Sequence, residues 1–373
     1  MMTPRDATAP ITETTRPEQG PSFDAAFDAQ RLGLFPERVA EWLRTGHTPA
    51  PIYTEFELTT ACNHACRFCG VEHIVNQPAR FMDRDLAARV IDELAGMGNR
   101  SIMFSGHGEP LLHPNAAELI GRAAKRMSAS VTTNGRRLRD AGIALIDDLK
   151  WIRFSINGSH PLEYARMHRT RPADFEKVLA NLGAAIARKR SLELAVTIGV
   201  QLVLLDQNPS EVERLAVRVR EMGADYFSLK PYSEHPMSAR GLVTDCVMFE
   251  ELAARLAPLA TESFSVIARV ESARSIGREK PYGQCHGTHF LNFIGADGRV
   301  WECNVFAGDD DFFVGDLRTQ SMLAIWESHR RRQVVDFVEN RLNLARCRDL
   351  CRMHASNRYL WRLKHPMAHD DFI

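Results

Sequence analysis

The chain has 373 residues, with 47 Lys+Arg balanced by 47 Asp+Glu, 45% hydrophobic and 25% charged residues. That is the profile of an ordinary soluble globular protein, long enough for two or three domains, or for one large barrel with an appendage. The charge balance removes the generic attraction to nucleic acid that a basic domain has. Residues 1–20 lack the apolar core of a secretory signal, and the longest apolar run, 194–205, is interrupted by Thr197 and Gln201 and is too short to span a bilayer. The expectation is a cytoplasmic protein with no nucleic-acid and no membrane partner.

Residues 1–30, rich in Pro and Thr and poor in apolar side chains, read as a disordered segment. A short helix with Pro36 in its first turn is expected over 36–45. From residue 53 a regular alternation begins. Strands are expected at 53–59, 101–104, 129–133, 151–156, 193–204 and 226–230, and helices at 83–97, 115–127, 138–147, 174–189 and 209–222. Strands separated by helices pair in parallel with right-handed crossovers. Six such units suit a partial (β/α)6 barrel and fall short of the eight that close a full one. After residue 231 come a loop to 243, a helix at 247–260, a strand at 262–270 and a linker at 272–284. A hairpin at 290–294 and 300–303, turning at Asp297-Gly298, a helix near 322–335 and an aromatic, basic tail complete the chain.

Eight cysteines occupy positions 62, 66, 69, 246, 285, 303, 347 and 351. In a reducing compartment such clustering points to metal ligands more than to disulfides. Cys62, Cys66 and Cys69 form C-x3-C-x2-C at the end of the first expected strand, where catalytic groups of α/β barrels sit. Three thiolates on a [4Fe–4S] cluster leave one iron open to a ligand. The other reading of the trio is a zinc site completed by His64 or His73. Near the other end, Cys285 and Cys303 bracket the hairpin, and Cys347 and Cys351 follow as C-R-D-L-C. Four cysteines can ligate one [4Fe–4S] cluster fully, or a structural zinc. Cys246 lies outside both groups and reads as a helix-start or core residue.

The trio, with Phe68 before its last cysteine, resembles the radical S-adenosylmethionine (radical SAM) family. There the open iron chelates SAM, and the reduced cluster cleaves the sulfonium to a 5′-deoxyadenosyl radical. Further segments follow in the family's order. Ser105-Gly106-His107-Gly108-Glu109-Pro110 resembles the glycine-glycine-glutamate-proline segment, with His107 in place of the first Gly of that pair. Thr133-Asn134-Gly135 and Ser155-Ile156-Asn157-Gly158 resemble segments that line the cofactor. The resemblance implies SAM contacts at Phe68, Gly106, Gly108, Glu109, Asn134, Ser155 and Gln201. The C-terminal four resemble the auxiliary-cluster extension called SPASM, in its shortened, single-cluster twitch form.

The expected organisation is thus a radical SAM partial barrel over 31–240, connecting elements over 241–284 and an auxiliary-cluster domain over 285–373. The cofactors are SAM, one SAM-binding [4Fe–4S] cluster and one auxiliary [4Fe–4S] cluster. The partners are a flavodoxin- or ferredoxin-type electron donor and a small-molecule substrate. A sugar, aminocyclitol or nucleoside derivative is expected, oxidised or epimerised, because the residues before the barrel are too few for a leader-peptide-binding domain. The alternatives are a peptide-modifying enzyme, sulfur insertion from the auxiliary cluster and a zinc-binding structural protein. Glu234, His235 and Tyr232, just past the sixth strand, are the acid–base candidates.

Overall fold

Alternation along short strands decides the architecture. In the computed structural model, which describes residues 29–238 and 240–372, ten strands form one sheet. They are β1 (Tyr53–Phe56), β2 (Ser101–Phe104), β3 (Ser128–Thr133), β4 (Trp151–Ser155), β5 (Thr197–Leu204), β6 (Tyr226–Pro231), β7 (Ser265–Ala268), β8 (Leu291–Ile294), β9 (Arg299–Trp301) and β10 (Phe313–Asp316). The order is β10-β9-β8-β1-β2-β3-β4-β5-β6-β7, so the sheet stays open, with β7 and β10 as its edges. The expected disorder of residues 1–30 falls almost wholly outside the described residues.

All six expected parallel strands are present, and two more extend the parallel run. β7 pairs with β6, Tyr226 opposite Ser265, and β8 pairs with β1, Tyr53 opposite Leu291. The expected hairpin is there, β8 and β9 being antiparallel, but it continues the barrel sheet rather than standing apart from it. One face of the sheet carries Phe56, Phe104, Val131, Phe154, Val200, Phe227 and Leu229, all buried in the main core under the crossover helices. By strand alternation the opposite face carries Tyr53, Glu55, Ser130, Arg153, Ser155, Gln201, Ser228 and Lys230. A polar inner wall is the first sign that this lumen receives a ligand instead of packing shut.

The helices follow the expected spacing, with breaks where capping chemistry competes. Gly142, at φ +106°, divides the helix expected at 138–147 into Leu138–Ala141 and a 3-10 turn at Ile143–Ile146. Ser328 caps a new helix, His329–Asn340, and so divides the one expected near 322–335. Among the elements not expected are β10, the helix Pro161–His168, opened by Pro161, and the helix His354–Lys364 in the tail. The latter buries Leu360 against Leu32, Trp42, Ile52 and Phe290 and so fastens the tail to the N-terminal helix Pro36–Thr45.

Candidate active site

The loop after β1 is folded by side chains that reach its backbone. Asn76 donates its amide to Cys62 O and accepts from Cys62 N, both at 3.0 Å. Arg240 donates to the carbonyls of Cys66 and Arg67 at 3.1 and 2.6 Å. Arg67 N bonds Met167 O and Ala65 N bonds His168 O, so the loop is sewn to the end of the helix Pro161–His168. Cys62, Cys66 and Cys69 are free and half-buried.

These three sulfurs are not the donors of a single tetrahedral ion. Among the described residues, the groups of three or more candidate donors lying within 4.8 Å of one another are His64–Cys66–His168 and His160–Glu163–Glu211. Zinc with Zn–S bonds of about 2.3 Å would draw its thiolates to about 3.8 Å from one another. The trio is spread wider, as a polynuclear centre requires. His64 does not complete it as a zinc ligand, and the His73 ring instead lies tilted against that of His235, with centroids 4.8 Å apart.

Electrostatics agree. Burial, with Glu109 and Cys69 nearby, pushes the Cys62 thiol up to about 12. Burial, helped by Cys62 and Cys69, also pushes Cys66 well above its ordinary range, and burial raises Cys69 as well. A reactive nucleophile needs the opposite shift. Thiols this reluctant to ionise become thiolates only when a bound cation displaces their protons, so the donor set fits an iron–sulfur group.

One further side chain addresses a sulfur. His168 Nε2 accepts from Asn157 N at 3.0 Å, which leaves the ring proton on Nδ1, 3.3 Å from Cys66 Sγ. Burial holds the ring well below its ordinary pKa, so it is neutral and donates to the sulfur. The ring stacks on Tyr164 at 4.1 Å and meets Phe68 edge-on at 5.0 Å.

The residues expected to touch SAM gather around this loop, but several are engaged by the protein itself. Gly108 is small because a Cβ would lie 2.5 Å from Ala61 O, against the cysteine loop. Gly106, at φ +121°, makes room for the Glu57 side chain. Glu57 in turn accepts from His107 N and Nδ1, at 2.7 and 2.6 Å, and from Ala296 N. Burial opposes charge on His107, yet Glu57 keeps its pKa above the usual value, which accounts for histidine in place of glycine. Glu109, expected as a cofactor contact, has both oxygens taken, by Leu111 N and Thr133 Oγ1 on one and Asn134 N on the other. It therefore positions the ends of β2 and β3 rather than reaching outward. Asn134 passes the connection on to Asn63 in the cysteine loop at 2.7 Å. Ser155 and Gln201 stand opposite each other on β4 and β5, at the carboxyl end of the polar wall.

Cys285, Cys303, Cys347 and Cys351 also converge. Burial and the nearness of the other three thiols raise Cys303 well above its usual range, and Cys285 and Cys347 reach about 12 and 11. Asn357 accepts from His286 N and Gly287 N and donates to Cys285 Sγ at 3.4 Å. The turn between Cys347 and Cys351 reaches over the lumen. Arg348 bonds Ser233 O and packs on Gly70, next to Cys69, while Arg352 pairs with Glu55 at 2.6 Å. Cys246 opens the helix Cys246–Leu256, packed against the core and outside both groups.

The acid–base candidates fare less well. Glu234 Oε1 accepts from Arg240 N and Gly241 N and so braces its own loop. His235 Nδ1 accepts from Met237 N, and burial lowers its pKa to about 4. With that lone pair engaged, His235 is a neutral donor, not a base. Tyr232 is buried with Met167, Leu205 and Phe68. Sequence reasoning missed His168, Arg240, Arg348 and Arg352, whose importance depends on contacts between distant segments. Arg348 and Arg352 sit beside cysteines of the C-R-D-L-C motif, the one local signal that could have marked them.

Residues 56–219 match the model of the radical SAM superfamily, and residues 285–352 that of the SPASM iron–sulfur cluster-binding domain. The chain belongs to the radical SAM superfamily. Its cofactors are accordingly SAM and a SAM-binding [4Fe–4S] cluster, with auxiliary iron–sulfur binding in the SPASM domain. A GTP 3′,8-cyclase of Chlorobaculum tepidum is 30% identical over 194 residues, 51% of this chain and 57% of the cyclase. A PqqA peptide cyclase of Ruegeria pomeroyi is 26% identical over 257 residues, 67% of this chain and 60% of the cyclase. The chain thus aligns with less than two thirds of either relative. Streptococcus suis SuiB bound to S-adenosylmethionine shares the fold, with TM-score 0.64 and 15% identity over 90% of this chain and 79% of SuiB. Among the described residues no helix of this radical SAM protein is long and apolar enough to cross a membrane.

Proposed function

We propose that this chain is a radical SAM enzyme that modifies a peptide, with Cys62, Cys66 and Cys69 holding the SAM-binding cluster and Cys285, Cys303, Cys347 and Cys351 a single auxiliary cluster. The observation that carries the reading is the gathering of three half-buried thiols in one group and four in another, each close enough to raise its neighbours' pKa. When bound and reduced, the first cluster supplies the electron that cleaves SAM to a hydrogen-abstracting radical. The chain's own residues arrange that event. His168 donates to a ligand sulfur, Arg240 and Asn76 hold the loop, and Glu109 fixes the strand ends behind it. Phe68, Gly106, Gly108, Asn134, Ser155 and Gln201 border the space left for SAM.

The peptide substrate is supported by the likeness to a PqqA peptide cyclase over two thirds of the chain. The small-molecule reading keeps the likeness to a GTP cyclase over half of it and to an AdoMet-dependent heme synthase over three quarters of it. Anaerobic turnover of the reconstituted enzyme separates the two: peptides encoded beside the enzyme are consumed with formation of 5′-deoxyadenosine, while sugars and nucleotides are not. The product's mass then distinguishes loss of two hydrogens, epimerisation and gain of sulfur. Enzyme that never forms 5′-deoxyadenosine, even without substrate, contradicts the reading.

A further inference from the structure

The polar face of the sheet carries two half-buried cations, Lys230 and Arg153, that among the described residues form no ion pair with a carboxylate. Lys230 lies on β6 on the face away from Phe227 and Leu229. The charges that act on it are all positive: Arg269, Arg348, Arg153 and Arg352. Arg153, on the same face of β4, donates to Thr132 Oγ1 at 3.1 Å and lies over the Trp151 ring, and its Nε is buried without a partner. Arg352 is matched by Glu55. Burying charge without a counter-charge is costly, and proteins keep such groups where a ligand completes them. Burial and the surrounding arginines hold the Lys230 pKa well below its ordinary value, and an arriving anion would raise it.

We propose that Lys230 and Arg153 form the floor of a binding site for an anionic group of the substrate, a carboxylate or a phosphate. The site lies on the polar wall that also bears Ser155 and Gln201, so the anion anchors the substrate beside the SAM space. This inference rests on the proposed function above, because it takes the lumen as the place of reaction. It also differs from the basic groups of the cysteine loop, since Lys230 and Arg153 are on strands.

The test is calorimetric titration of the reconstituted holoenzyme with glutarate and, separately, with inorganic phosphate. One of the two binds the wild type, which tells carboxylate from phosphate. Its dissociation constant rises at least tenfold in Lys230→Gln and in Arg153→Gln and returns towards wild type in Lys230→Arg, while SAM affinity changes less than twofold. The wild type alone supplies a second measurement: the bound anion protects Lys230 from reductive methylation, read by peptide mass spectrometry. Binding of neither anion, equal binding by the variants, or unprotected Lys230 overturns the proposal. A parallel loss of SAM affinity in Lys230→Gln also overturns it, by assigning these cations to SAM. Failure of the wild type to cleave SAM would instead strike the proposed function.

Discussion

The first three cysteines lie within one loop, residues 62–69, whereas the other four come from three segments spread over residues 285–351. The first group is shaped locally, by Asn76, Arg240 and the turn from Cys66 O to Cys69 N, against the carboxyl edge of the sheet. The second exists only after β8 has joined β1 and the tail helix has packed beneath it. Donor number separates them too. Three thiolates leave an iron of a four-iron cluster open, and four close it. On the proposed assignment, a single chain would hold one site made to admit a ligand and one made to exclude it.

The contrast breaks most sharply under cysteine replacement. Cys66→Ala should abolish 5′-deoxyadenosine formation altogether. Cys303→Ala should retain uncoupled cleavage while product formation drops by about two orders of magnitude or more. Each variant should lose about four of the eight irons of the reconstituted chain, counted by metal analysis. Loss of cleavage in both would erase the distinction between the sites.

Asn357→Ala tests whether the second site depends on tertiary packing. It removes a donor to Cys285 and leaves His286 N and Gly287 N unpaired, at a cost of about 1–3 kcal/mol. The melting temperature and the auxiliary cluster's retention on dilution into chelator should both fall, with SAM cleavage retained. The matching change at the first site is smaller. His168→Phe removes the donor to Cys66, and a donor stabilises the more negative, reduced cluster. Its midpoint potential should become more negative by tens of millivolts, the one-electron equivalent of about 1 kcal/mol. An unchanged potential would show that the contact is only packing.

The smallest effect concerns the strut between the regions. Glu57 joins His107 on the β2 loop to Ala296 in the β8–β9 turn. Because Glu57 raises the His107 pKa above 6.5 against burial, the pair's stabilisation is complete below that pH and is lost as pH rises through the raised value. Thermal stability should therefore decline on the alkaline side of neutrality, and His107→Gln should flatten that decline.

The same contrast explains what was legible in the sequence. The trio, the strand–helix rhythm and the Asn208-Pro209 helix start are encoded within a few neighbouring residues, and the structure follows them closely. β10 escaped because Phe313–Asp316 is short and gains its strand character only by pairing with β9. Glu109 matched a motif, yet its hydrogen bonds to β3 reveal a brace. Glu234 and His235 stood at the right place along the chain, but backbone amides of their own loop engage Glu234 Oε1 and His235 Nδ1. Lys230 could not be singled out, since its neighbours Arg153, Arg269 and Arg352 lie far from it in sequence.

Electron paramagnetic resonance of the reduced Cys303→Ala/Cys347→Ala protein, recorded with and without SAM, tests the open-iron claim most directly. One remaining [4Fe–4S] signal that shifts when SAM is added is the expected result. A signal indifferent to SAM, or a protein that holds zinc and no cluster, would contradict it.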